Sequence, residues 1–151
     1  METANLIHYA EDALDYGIMG ILGIMSVVIL WLFIERMMFY SGVRVDDYEH
    51  RDELEMDLTE NTSIISAIGS NAPYVGLLGT VTGIMITFYT LGDVGAVDAK
   101  KIMMGLAMAL KATATGLLVA IPAIVAYTIS LRKVDKILTK FDVAQEKKER
   151  S

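Results

Sequence analysis

Residues 105–130, GLAMALKATATGLLVAIPAIVAYTIS, form an apolar, small-residue stretch that carries a single charge, Lys111. The stretch exceeds the roughly 20 residues needed to cross about 30 Å of hydrocarbon, so it reads as a transmembrane helix. On a helical wheel, Gly105, Ala109, Ala112, Gly116, Ala120 and Ala123 fall on one stripe. Two apolar helices already in lipid gain nothing by leaving water, so their association depends on close backbone approach and van der Waals contact. The stripe therefore predicts a tightly packed neighbour, and with it a bundle of membrane helices.

The lysine sets a second condition. A charge near the centre of a lipid-spanning helix costs about 2.5–3.5 kcal/mol and usually faces a protein interior or an aqueous path. Lys111 shares a face with Met104, Met108 and Thr115. Thr113, two residues on, points about 200° away from it. The expectation is that Lys111 and Thr115 form a polar interface with a neighbouring helix. Lys111 should meet an acid or a helix carbonyl on a neighbouring chain, because its own span contains no acid. Snorkelling of the lysine towards the interface is the plainer alternative. Pro122 removes one helix bond and is expected to bend this helix where it leaves the bilayer.

The partner helix lies upstream. Residues 72–92, APYVGLLGTVTGIMITFYTLG, carry no charge, and Pro73 suits a first helical turn. Gly76, Gly79 and Gly83 stand three and four apart, making a smooth face for close packing. The polar connector 93–101, DVGAVDAKK, joins this span to residues 102–131 as an antiparallel hairpin. Stepping inwards from Leu91 and Ile102 at about 1.5 Å per residue places Thr80 and Thr113 level, roughly 16–17 Å deep and near the midplane. Two hydroxyls at one depth could line a narrow polar passage, or each could bond back to the carbonyl four residues earlier. The spacing leaves both readings open.

Working further outwards, residues 17–40 form another uncharged run that ends at Glu35 and Arg36, with Trp31, Phe33, Phe39 and Tyr40 as interface aromatics. Residues 1–16 carry apolar positions at helical spacing with Glu11, Asp12 and Asp15 elsewhere, as in a short interfacial helix. The loop 41–71 is rich in acids and reads as an amphipathic helix capped by Asp46 and Asp47. The tail 132–151 has seven Lys and Arg interleaved with Val134, Ile137, Leu138, Phe141 and Val143, continuing the last helix with an amphipathic face that could pack on the acidic loop. Basic residues concentrate in the loop and tail and are missing before the first span. The positive-inside rule then places loop and tail in the cytoplasm and the N-terminus outside. The expected fold is an all-α membrane protein of three transmembrane helices with helical extensions into the cytoplasm.

Composition narrows the function classes. The chain is 54% hydrophobic, has net charge -6 and contains no cysteine. An acidic chain without a basic groove argues against nucleic acid as a partner. No thiolate metal site or disulfide framework is available, and the loop acids lack the spacing of a calcium loop, so no metal and no cofactor are expected. The glycines of 72–92 lack a phosphate-binding pattern. No Ser/His/Asp set or zinc motif occurs, and His8 and His50 lie outside the spans as surface residues, which argues against an enzyme. The acidic start, lacking a basic n-region, predicts no removable signal peptide.

The strings APYVGLLGTVTGIM at 72–85 and GLAMALKATATGLLVAIPA at 105–123 resemble the ExbB/TolQ/MotA family, its ExbB branch above all, over roughly residues 64–129. The resemblance implies a proton-channel subunit of the bacterial inner membrane. Such subunits assemble as a homo-oligomeric ring, typically a pentamer, around single-span partners of the ExbD type that bear an essential aspartate. Proton flow would energise a TonB-type protein for transport across the outer membrane; a TolQ-like role in envelope integrity is the alternative, and a passive scaffold for the partner is another. The resemblance places the family's pore threonines on Thr80 and Thr113. It places the family's intramembrane glutamate on Met108, so that carboxylate is missing, while Lys111 stands where leucine is usual.

Overall fold

The computed structural model describes residues 2–92 and 99–150, with the side chains of residues 2–8, Ala10, Glu11 and Leu91 outside the description. Four α-helices follow one another: α1 (Glu2–Gly42), α2 (Arg51–Thr59), α3 (Thr62–Gly92) and α4 (Ala99–Glu149), with one 3-10 turn at Val45–Asp47. Three of them, α1, α3 and α4, are long and apolar enough to cross a membrane. A bilayer offers no water to unsatisfied backbone groups, so long apolar segments close all their hydrogen bonds internally as helices.

The helices run beyond the spans drawn from sequence. Residues 2–16 run without a break into the first span as the N-terminal turns of α1. Residues 99–101 begin α4, and 93–98 of the hairpin lie outside the described residues. Helix α4 continues to Glu149, taking residues 102–131 and most of the tail into one rod. Pro73 lies inside α3 rather than in its first turn, because the helix starts at Thr62. Its missing N–H leaves one carbonyl, that of Gly69, without a helical donor. Asp46 and Asp47 sit in the 3-10 turn, and α2 is instead entered from His50, whose side chain makes no capping bond.

The closest packing is between α3 and α4, with α1 laid across their groove. Ile18, Leu22 and Ile29 of α1 join Ile65 and Ala72 of α3 and Ala112, Val119, Ala120 and Ala123 of α4 in one buried cluster. The opposite face of α1 stays open, with Ile21, Ile24, Val27, Leu30 and Trp31 exposed, as lipid-facing side chains should be. A second cluster joins Tyr40 of α1, Leu54 and Leu58 of α2, and Val134, Ile137, Leu138 and Phe141 of α4. The amphipathic loop helix and the tail thus share one small core.

Arg36 fastens the end of α1 to the segment that holds α2. It is 2% exposed. It pairs with Glu35 and, at 3.6 Å, with Glu60, donates to the Asp57 carbonyl at 3.0 Å, and covers the Phe39 ring at 4.8 Å. Tyr40 adds a hydrogen bond to the Leu58 carbonyl at 2.9 Å. An Arg36→Met variant keeps the apolar stem but loses a charged donor, a loss of about 1.5–3 kcal/mol. Hydrogen exchange over residues 43–61 is expected to speed up by tenfold or more, while exchange in the α3–α4 seam stays slow. Unchanged exchange in that loop would exclude the fastening role.

Candidate functional site: a hydroxyl pair in the α3–α4 seam

The seam is built where glycine faces glycine. A Cβ at Gly76 would stand 2.7 Å from the Ala112 carbonyl oxygen and 3.1 Å from the Cα of Gly116; one at Gly116 would stand 2.7 Å from the Ala72 carbonyl oxygen. Only hydrogen fits between these backbones. Gly79 abuts Ala112 and Ile18, Gly83 abuts Ala109, and Gly105 abuts the side chain of Thr87. Every small residue singled out on the two spans, Ala120 included at 2% exposure, therefore lies in or beside this seam.

Close approach brings two threonines face to face. Thr80 Oγ1 and Thr113 Oγ1 are hydrogen-bonded to each other across the seam. Thr80 is 8% exposed, and its hydroxyl also lies 3.1 Å from the Ala109 carbonyl and 3.3 Å from that of Gly76. The Thr113 hydroxyl lies 3.4 Å from the same Gly76 carbonyl. Thr80 thus reaches back to the carbonyl four residues earlier and across to Thr113 at once.

The geometry has a chemical consequence. Each hydroxyl has one proton to donate and can accept as well. In one arrangement Thr113 donates to Thr80, and Thr80 donates to the Ala109 carbonyl. In the other, Thr80 donates to Thr113, and Thr113 donates to the Gly76 carbonyl. The hydroxyl–hydroxyl bond survives in both and only its direction reverses, so either hydroxyl can donate to the other.

The remaining residues singled out on α4 lie elsewhere. Thr115 donates to the Lys111 carbonyl at 2.9 Å, a bond within its own helix, and among the described residues it forms no hydrogen bond to another helix. Lys111, 61% exposed at its side chain, forms an ion pair at 3.9 Å with Asp15 of α1. This acid is carried by the same chain, on α1; the expected acid or carbonyl on a neighbouring chain is a matter for the assembly. Met108 is exposed on the same side. Pro122 lies inside α4 with its ring exposed, and His50 is exposed in the loop; the side chain of His8 falls outside the described residues. Two polar positions escaped the sequence reading. Asp15 was counted with the lead-in, and Thr87, buried against Gly105 and donating to the Gly83 carbonyl at 2.8 Å, stands two turns from Thr80 on the same face and was legible from that spacing alone.

Comparison with known proteins converges on the same segments. Residues 30–143 match the model of the MotA/TolQ/ExbB proton channel family. The chain is similar to a biopolymer transport protein ExbB of Helicobacter pylori strain J99, 52% identical over 133 residues that cover 88% of this chain and 92% of the relative. It is similar to one of Aquifex aeolicus, 50% identical over 129 residues covering 85% and 87%. A Tol-Pal system protein TolQ of Pseudomonas aeruginosa is 45% identical over 86 residues, which cover 57% of this chain and 36% of that protein. Three apolar helices, a glycine-to-glycine seam and a family match that spans both helices of the seam lead to one conclusion: this multi-pass membrane protein belongs to the MotA/TolQ/ExbB proton channel family.

Proposed function

We propose that the chain is a proton-conducting subunit of the bacterial inner membrane, with its N-terminus in the periplasm and its α2 and C-terminal region in the cytoplasm. It assembles as a homo-oligomeric ring, most simply a pentamer, in which α3 and α4 of each copy line a channel. An ExbD-type partner with a single span and an essential aspartate occupies that channel. Proton flow past the partner then energises a TonB-type protein and transport across the outer membrane. The carrying observation is the Thr80–Thr113 hydroxyl pair, in which either oxygen can donate, held between backbones too close to admit a Cβ. Hydroxyls fixed in such a seam can relay protons while the protein forms no bond with a substrate.

Further support comes from charge and from the relatives. The tail and loop carry the excess of Lys and Arg expected of a cytoplasmic side. The relatives matched over nearly their whole length are named for biopolymer transport and ExbB. The partial match to TolQ supports a second reading, in which the same proton relay serves envelope integrity.

The two readings separate in one measurement. The complex extracted gently from native membranes should contain this chain in several copies together with a small single-span protein whose apolar segment includes an aspartate. Cells lacking the chain should lose TonB-dependent uptake. Recovery of the chain without any single-span partner would overturn the proposal. Retained uptake together with leaky, unconstricted envelopes would move it to the TolQ-like role.

A further inference from the structure

A cavity of about 140 Å³ lies between α1, α3 and α4, towards the end of the bundle where α3 finishes and α4 begins. Asp12 and Asp15 of α1, Thr82 and Gly83 of α3, and Met108 and Ala109 of α4 are among its walls. Met108 stands about 9 Å along the helix from Ile102, at about 1.5 Å per residue, so the cavity sinks well below the end of the helices. A buried water needs about 10–15 Å³ of such volume and two to four polar partners. Volume and carboxylate oxygens are both present here for several waters.

The ion pair makes the same point independently. Lys111 and Asp15 are charged residues in otherwise apolar helix surroundings, 3.9 Å apart and 61% and 37% exposed at their side chains. At that depth a pair open to hydrocarbon would be expensive, whereas a pair beside water is not. Ala109 is among the cavity's walls, and its carbonyl accepts from Thr80. The cavity therefore shares a residue with the hydroxyl pair's hydrogen bonds.

We infer that this cavity is a water-filled antechamber within each subunit, walled by Asp12, Asp15 and Thr82, through which water and hydrated protons reach the Thr80–Thr113 pair from the hairpin side. The use of the chamber rests on the proton-channel reading, but its existence does not. Asp12 and Asp15 on the wall, with Lys111 paired to Asp15 beside it, sum to one net negative charge, which favours a cation over an anion inside.

The chain has no cysteine, so single cysteines report on the site without background. Thr82→Cys, close to isosteric, places a thiol in the chamber; Val81→Cys places one at the same depth on another face. In intact cells, a membrane-impermeant cationic thiol reagent is expected to label Thr82→Cys at least several-fold faster than Val81→Cys. Adding Asp15→Asn should reduce the preference of Thr82→Cys for the cationic reagent over its anionic counterpart. Equal labelling at both positions, or none at Thr82→Cys from either side of the membrane, would overturn the chamber. Labelling confined to everted vesicles would keep the chamber and overturn the proposed orientation instead. Loss of proton flux in threonine variants with no labelling at Thr82→Cys would leave the proton-channel reading standing without this inference.

Discussion

A Gly76→Val substitution is expected to dismantle the assembled protein. The Cβ alone would sit 2.7 Å from the Ala112 carbonyl oxygen and 3.1 Å from two α4 Cα atoms, those of Thr113 and Gly116. These are backbone atoms of a long helix and cannot swing aside as a side chain would. The helices must separate, and overpacking of this kind costs about 1–3 kcal/mol or more. Separation also carries Thr80 away from Ala109 and Thr113, and removes dispersion contacts that lipid offers no hydrophobic gain to replace. The measurement is the size and thermal midpoint of the detergent-extracted complex. Gly42→Ala is the control, since a Cβ there has no neighbour within 4 Å. It should leave the complex intact, whereas Gly76→Val should shift it to dissociated or degraded chain. An intact Gly76→Val complex of unchanged midpoint would mean that the seam is looser than these distances.

The second large effect falls on conduction alone. Valine matches threonine in shape, so a Thr80→Val, Thr113→Val double variant keeps the seam filled while both hydroxyls vanish. The Gly76 and Ala109 carbonyls retain their own helical donors, so the loss in stability is limited to about 0.5–1.5 kcal/mol per hydrogen bond. A positioned proton-transfer group contributes about 10²–10⁴-fold to rate. Proton flux in vesicles carrying the complete complex is therefore expected to fall by about a hundredfold, with complex size unchanged. The Thr80→Ser, Thr113→Ser pair, which restores both hydroxyls, should recover most of it. Full flux in the valine pair would end the hydroxyl relay, and unchanged flux with falling partner abundance would favour a passive scaffold.

These two expectations rest on features of unequal legibility. The seam could be read from spacing, because Gly76 with Gly79 and Gly83, and Gly105 with Ala109, Ala112 and Gly116, repeat at the period of a helix face. A hairpin folds antiparallel, so counting inwards from Leu91 and Ile102 sufficed to bring Thr80 level with Thr113. The Lys111–Asp15 pair within the chain could not be found that way. Asp15 stands far away in sequence on a helix whose depth is set by Ile18 seating against Gly79, and tertiary register of that kind leaves no periodic trace. Pro73 misled for a related reason: proline is at home in a first turn, but a membrane helix tolerates it in the interior when neighbouring backbone packs close by.

Helix α4 has no interruption from Ala99 to Glu149, Pro122 included. From Pro122 to its end it extends about 40 Å at a rise of about 1.5 Å per residue. A rod of that length is a lever: a tilt of about 5° at the seam would carry its far tip by about 3–4 Å. Leu54 and Leu58 clasp it at Val134, Ile137, Leu138 and Phe141, so any such swing takes α2 along with it. Small displacements where Thr80 meets Thr113 would thereby be magnified into a mechanical stroke at the distal surface of the bundle.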